Sequence, residues 1–207
     1  MSQFFQIHPD NPQARLIHQA VEVLRGGGVI VYPTDSAYAL GCHIGDKKAL
    51  DRIRAIRQVD KNHNFTLVCR DLSEISTYAK LGNNSLYRIL NAHTPGPYTF
   101  ILNATSEVPR RLMHPKRRTI GIRVPANPIA LMMLEEHGEP IMSSSLILPG
   151  DDMPLTDPYD IRELLEHHVD LVIDGGYCGL DPTTVVDMTD EVPEVVRKGE
   201  GDPTPFE

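Results

Sequence analysis

Gly28-Val29-Ile30-Val31-Tyr32-Pro33-Thr34-Asp35-Ser36-Ala37-Tyr38 is an unbroken apolar run that stops at a proline and opens into a turn dense with hydroxyls. A run of this kind, without polar alternation, reads as a strand buried on both faces, and such strands belong to sheets covered by helices. Upstream, Leu16, Ala20, Val21 and Leu24 share one helical face. Asn11-Pro12 leads that helix as cap and first-turn proline, and Gly26-Gly27-Gly28 stops it. Asn127-Pro128 and Asp157-Pro158 repeat the same start signal.

Downstream, the spacing predicts a helix over 46–57 that buries Ala49, Leu50, Ile53 and Ile56, then a strand over 65–69 and short helices over 72–80 and 85–92. Strand signals recur at 98–103, 119–124, 140–144, 169–173, 183–188 and 194–198, with a helix from Pro158 before the last three. About eight strands thus interleave with about six helices, which predicts an α/β fold with helices layered on a sheet. The last two strands follow without a helix between them, so the sheet is expected to be mixed. No linker or repeat divides the 207 residues, and one domain spanning 1–207 is expected.

Composition excludes several classes. Apolar residues are 41% and charged residues 23% of the chain, too apolar for disorder. No run approaches the roughly 18 consecutive apolar residues of a membrane helix, and Met1-Ser2-Gln3-Phe4-Phe5 lacks a basic signal-peptide start. Three cysteines (Cys42, Cys69, Cys178) without CxxC spacing argue against a disulfide framework or a thiolate zinc site, and no metal-ligand set is read here. The expected home is the cytoplasm, with no membrane partner.

Charge is uneven. The net charge of −8 divides into −2 over residues 1–46, +10 over 47–123 and −16 over 124–207. One reading is a cationic surface for an anionic ligand; the other is that basic and acidic segments pair in the fold. Arg52-x-Arg54-x-x-Arg57, Arg110-Arg111 and Lys116-Arg117-Arg118 favour the first.

GxGxxG, GxxxxGK[ST], HExxH and GxSxG are all absent, so the common phosphate cradles and hydrolase elbows do not apply. Four strand ends carry polar chemistry instead. They are Thr34-Asp35-Ser36, the strand Thr119-Ile120-Gly121-Ile122-Arg123, Ser143-Ser144-Ser145, and Thr183-Thr184 with Arg197. Strand periodicity places Thr119, Gly121 and Arg123 on one face and Ile120, Ile122 and Val124 on the other. Each alone is also compatible with a turn, a cap or a solvated arginine. Together with the basic middle they point to a phosphate-bearing ligand.

At these residues the chain resembles the YrdC/YciO family, most closely its YciO branch. The matching pieces are YPTDSAYALGC (32–42), TPGPYTFIL (94–102), RRTIGIRVP (117–125), PTTVVDM (182–188) and VVRKGEG (195–201). The resemblance implies a single YrdC-like domain whose twisted mixed sheet has flanking helices and a concave basic face that binds ATP and RNA. Synthase members make threonylcarbamoyl-AMP from threonine, bicarbonate and ATP, with magnesium, for threonylcarbamoyladenosine in tRNA.

Carried over by position, nucleotide-binding roles fall on Arg57, Thr119, Ser143, Ser145 and Arg197, and threonine-binding roles on Thr34, Arg123 and Thr183. Arg54, Lys61, Arg110, Arg111, Lys116, Arg117 and Arg118 form the expected RNA or phosphate surface. Two departures stand out. The lysine of the family's KxR is Ala55 here, and the asparagine of its SxN is Ile147. Lys61 is the candidate to restore the missing cation. The resemblance therefore supports two readings: a synthase of the threonylcarbamoyl-AMP type, or a tRNA- or double-stranded-RNA-binding protein that has lost the synthesis. Neither a general base nor a protein partner is named by the sequence.

Overall fold

The computed structural model describes residues 1–60 and 63–207 and joins ten strands in one sheet. In chain order the elements are β1 (Gln3–Gln6), α1 (Ala14–Arg25), β2 (Ile30–Tyr32), β3 (Ala39–His43), α2 (Lys47–Arg57), β4 (Thr66–Val68), α3 (Leu72–Tyr78), α4 (Asn84–His93), β5 (Tyr98–Asn103), β6 (Thr119–Arg123), α5 (Pro128–His137), β7 (Ile141–Ser145), α6 (Pro158–Leu165), β8 (Leu171–Asp174), β9 (Thr184–Asp187) and β10 (Glu194–Arg197). The strand order is β1-β8-β2-β3-β7-β4-β6-β5-β9-β10. β8 runs parallel to β1 and β2, β4 to β6, and β5 to β9; the other neighbours are antiparallel. The expected α/β fold with a mixed sheet is what the chain adopts.

Helices cover the two faces unequally. On one face, Leu50 and Ile53 of α2, Ile75 of α3, Leu90 of α4 and Ile161 of α6 pack against Val31, Leu40, Phe100, Ile122 and Val186. On the other, α1 (Ile17, Ala20, Val21, Leu24) and α5 (Ile129, Ala130, Met133, Leu134) close over Ile30, Tyr32, Ile141, Leu171 and Ile173. Burying each of these large apolar side chains stabilises the fold by about 1.5–3 kcal/mol. Toward β6, β5 and β9 that second face turns polar, as Thr119, Gly121 and Arg123 alternate with buried Ile120, Ile122 and Val124. This alternation is that of a sheet with one face in the core and the other open.

Three details differ from expectation. Asn11-Pro12 does not cap α1: the helix starts at Ala14, and its N-cap, Gln13, makes no side-chain cap bond because Gln13 Oε1 instead accepts from the His8 amide. Asn127 and Asp157 do cap α5 and α6, each followed by its proline. The sheet also has two more strands than the spacing gave. β1 is a short edge strand, and β3 is an Ala-Leu-Gly-Cys-His segment whose small residues carry weak strand preference. It is nonetheless central, held between β2 and β7.

Candidate functional site

The turn after β2 is organised around Thr34. Its hydroxyl donates to the Ala37 carbonyl (2.5 Å) and accepts from the Ser36 amide (3.2 Å). That turn presents Asp35 and Ser36 to Arg123 of β6, whose guanidinium donates to the Asp35 carboxylate and to Ser36 Oγ (3.0 Å). Asp35 also accepts from the Ala126 amide (2.9 Å), so one carboxylate ties the β2 turn to both ends of the segment 123–126. Arg123 is buried, not solvated, and its Nε has no hydrogen-bond partner among the described residues.

A cavity of about 330 Å³ opens on the polar part of the sheet face. Arg57, Thr119, Ser143, Ser145, Arg197, Arg123 and Thr183 all line it. Thr34 does not; it lies behind, shaping the turn that holds Arg123. The floor is Gly121, where a Cβ would stand 3.2 Å from Thr99 Cγ2 and 3.3 Å from Thr66 Oγ1, so any larger residue would fill the cradle. Hydroxyls converge around it. Ser143 Oγ donates to the Leu40 carbonyl (3.0 Å) and meets Tyr32 Oη (2.7 Å), while Thr99 and Thr183 bond to each other at 2.8 Å. Burial pushes the Tyr32 hydroxyl up to about 12, so it stays protonated.

Four guanidiniums line the cavity, in two kinds. Arg123 pairs with Asp35, and Arg117 with Asp187 at 2.6 Å. Arg57, at the end of α2, donates to Ser144 Oγ (2.5 Å) and the Ile147 carbonyl (3.1 Å). Arg197, at the end of β10, donates to the Thr183 carbonyl (3.1 and 2.8 Å) and Thr183 Oγ1 (3.2 Å). Neither Arg57 nor Arg197 meets a carboxylate among the described residues. Burial lowers the pKa of each, and a neighbouring guanidinium adds to it: Arg197 beside Arg57, Arg123 beside Arg197. Arginine keeps its proton regardless, so the result is unspent positive potential. The return from β10 is held close because Thr184 Oγ1 donates to the Gly201 carbonyl (2.5 Å) and a Cβ at Gly199 would overlap the Pro182 carbonyl.

His63 is the residue that sequence reasoning missed. Its Nε2 lies 3.4 Å from both Arg57 Nη1 and Ser144 Oγ, and its ring meets Phe65 edge-on at 5.1 Å. Burial, then Arg57, lowers its pKa below 6.5, so it is neutral at neutral pH. No motif or spacing marks it among nine histidines; only the fold brings it to Arg57. Ser144, flanked by two named serines, is likewise the one that orients Arg57.

The expected surface set is split by the fold. Arg117 lines the cavity. Arg54 lies over the Phe65 ring (5.4 Å) and bonds Asp51, mostly covered. Arg110, Arg111, Lys116 and Arg118 are exposed, in the segment whose Leu112 and His114 form part of the cavity wall. Lys61 lies outside the described residues. Ala55 is exposed on α2, and Ile147 lines the cavity. The described lining contains no carboxylate, so these residues do not fit a protein-held magnesium ion.

The sequence matches the Sua5/YciO/YrdC family model, described as telomere recombination, over residues 22–199. The chain belongs to the Sua5/YciO/YrdC family. Within it, Escherichia coli YciO is 62% identical over 206 residues, covering all of both chains, and its crystal structure superposes with a TM-score of 0.95. The threonylcarbamoyl-AMP synthase of Nitrosococcus oceani is 30% identical over 159 residues, covering 77% of this chain and 85% of that one. A P. abyssi Sua5 structure complexed with L-threonine shares the fold at 24% identity and a TM-score of 0.87; it covers 96% of this chain, which matches 58% of the longer Sua5. Among the described residues no helix is long and apolar enough to cross a membrane.

Proposed function

We propose that the cavity binds a nucleotide and that the protein is a synthase of the threonylcarbamoyl-AMP type, using threonine, bicarbonate and ATP and serving tRNA modification. The observation that carries this is the pair Arg57 and Arg197, cations at one cavity whose acceptors are neutral. Such groups are suited to the oxygens of a polyphosphate. The buried Arg123 Nε is a donor still lacking an acceptor, and the threonine carboxylate is the group of the substrate set that would supply one. Ser143, Ser145 and Thr119 offer hydroxyls for the rest of the nucleotide. The family, and relatives at about 30% identity bearing the synthase name, support the reading.

In that reaction an oxygen of the threonine carbamate attacks the α-phosphorus. A new P–O bond forms, the bond to the bridging oxygen breaks, and pyrophosphate leaves with that electron pair. Charge grows on the phosphates in the transition state, and Arg57 and Arg197 are the groups that would meet it. The test is pyrophosphate release that requires both threonine and bicarbonate, with threonylcarbamoyl-AMP identified by mass. Turnover that disappears in Arg57→Gln supports the proposal. Absence of product at high enzyme concentration, with ATP bound, overturns it.

A second reading is favoured by Ala55 and Ile147. Each replaces a polar group of the family pattern, and losing one transition-state donor commonly costs about 100- to 1,000-fold. Under that reading the protein retains nucleotide and RNA binding without synthesis. The exposed cations of 110–118 beside the cavity suit an RNA backbone.

A further inference from the structure

We propose that His43, His137 and Glu139 form a binding site for a divalent transition-metal ion, of which Zn²⁺ is the best match. His43 ends β3, His137 ends α5, and Glu139 lies in the connection that leads into β7. One ligand atom from each lies within 4.8 Å of the other two. His43 Nε2 and Glu139 Oε2 are 2.7 Å apart, and the two imidazoles meet edge to face with centroids at 5.4 Å.

What sets this cluster apart from an ordinary histidine–glutamate pair is His137. Its side chain is 6% exposed, and neither ring nitrogen has a hydrogen-bond partner among the described residues. A buried imidazole pays for its lost hydration on both nitrogens unless something binds them. A metal ion is a partner that the surroundings favour. The carbonyl end of α5 points its negative partial charge at the same place, and Glu139 adds a full negative charge.

Two imidazoles and one carboxylate are a ligand set for zinc and its neighbours, not for calcium or magnesium. Ligand atoms on one tetrahedral zinc lie roughly 3.4 Å apart, so the wider separations close by no more than ~1.5 Å and the His43–Glu139 pair opens by ~0.7 Å to bind. His43 Nδ1 now accepts from the Gly45 amide (3.0 Å), which leaves the ring proton on Nε2 facing Glu139; ligation through Nε2 moves that proton to Nδ1 and exchanges both the Gly45 contact and the 2.7 Å bond to Glu139 for bonds to the ion. The site is separate from the cavity. None of the three residues lines the cavity; the nearest lining residue on β7, Ser143, pairs with Gly41, two residues or about 7 Å along β3 from His43. An ion there would clip the end of α5 to the sheet, and the proposal stands whatever the cavity binds.

The experiment uses the full chain, stripped with a chelator and titrated with Co²⁺ and Zn²⁺. The expected result is one equivalent of Zn²⁺ by calorimetry, a visible ligand-field band for Co²⁺ that Zn²⁺ displaces, and a rise in Tm with Zn²⁺. His43→Gln and Glu139→Gln, both at partly exposed positions, should each weaken Zn²⁺ roughly tenfold or more. His137→Gln should abolish the Co²⁺ band; if that variant does not fold, the other two still decide. A His8→Gln control should bind as before. No stoichiometric binding, or binding undiminished in the His43→Gln/Glu139→Gln pair, overturns the proposal and leaves only adventitious surface histidines.

Discussion

Arg57 and Arg197 sit at the ends of two elements far apart in sequence, and each spends its hydrogen bonds on neutral oxygens. If phosphates are their purpose, removing either charge costs binding more than folding. Arg57→Gln and Arg197→Gln are each expected to weaken ATP by ten- to hundredfold in a calorimetric titration, since a charge-assisted hydrogen bond contributes about 1.5–3 kcal/mol. His63 gives a second residue-scale test. Its pKa is lowered by burial and by Arg57, so the free protein holds it neutral at pH 7, and it takes a proton only as pH falls through that lowered value. An anion beside it raises the pKa and therefore binds with proton uptake. Sulfate, fully ionised throughout, should bind more tightly at pH 5.5 than at 7.5, by up to tenfold per unit of pKa raised. His63→Gln should flatten that trend; an equally steep trend in the variant rejects the role. The two kinds of site residue were unequally readable. Thr119 and Arg123 were visible because strand periodicity is local, whereas the meeting of His63, Ser144 and Arg57 depends on the pairing of β4 with β7.

At the scale of an element, β6 joins the core to the cavity. Its isoleucines are buried, while Gly121 between Thr119 and Arg123 leaves the room in which a ligand could lie. Gly121→Val tests that division. Valine suits a strand better than glycine does and the backbone here is not in the left-handed region, but its Cβ alone would stand 3.2 Å from Thr99 Cγ2 and 3.3 Å from Thr66 Oγ1, so Tm should stay level or fall by a few degrees with the fold retained. The added methyls would press on Thr99 and Thr66, and ATP affinity should fall at least tenfold. A variant that binds ATP as before would mean that the ligand does not lie over β6. Elements with strong periodicity or caps were readable in advance, β5 to the residue and α2 to within its Asp46 cap. β3 was not, because it has no apolar alternation and takes its conformation from β2 and β7 on either side. The start of α1 differs from the Asn-Pro signal because Pro12 precedes the helix and does not open it.

At the scale of the molecule, the divided charge resolves into both of its alternatives. Part of the basic middle is spent internally: Arg52 on Asp170 (2.7 Å), Arg117 on Asp187 (2.6 Å) and Arg70 on Glu135 (3.5 Å). Arg110, Arg111, Lys116 and Arg118 are not spent this way; they are exposed and make no ion pair among the described residues. The composition could announce the surplus but not which cations the acidic half would claim, since that is settled by contacts between residues 65 to 118 positions apart. A surface of this kind reads a phosphate backbone by charge and shape, not by sequence. Short A-form duplex RNA should therefore bind with an affinity that falls linearly with the logarithm of salt, by roughly 0.7–0.9 per phosphate neutralised. Replacing all four cations by glutamine should reduce that slope by about three to four while leaving ATP binding at the cavity intact, because the four lie outside the groups that line it. An unchanged slope would move RNA off this surface. Loss of ATP binding as well would mean that the segment 110–118 supports the cavity wall through Leu112 and His114 more than it presents charge to a partner.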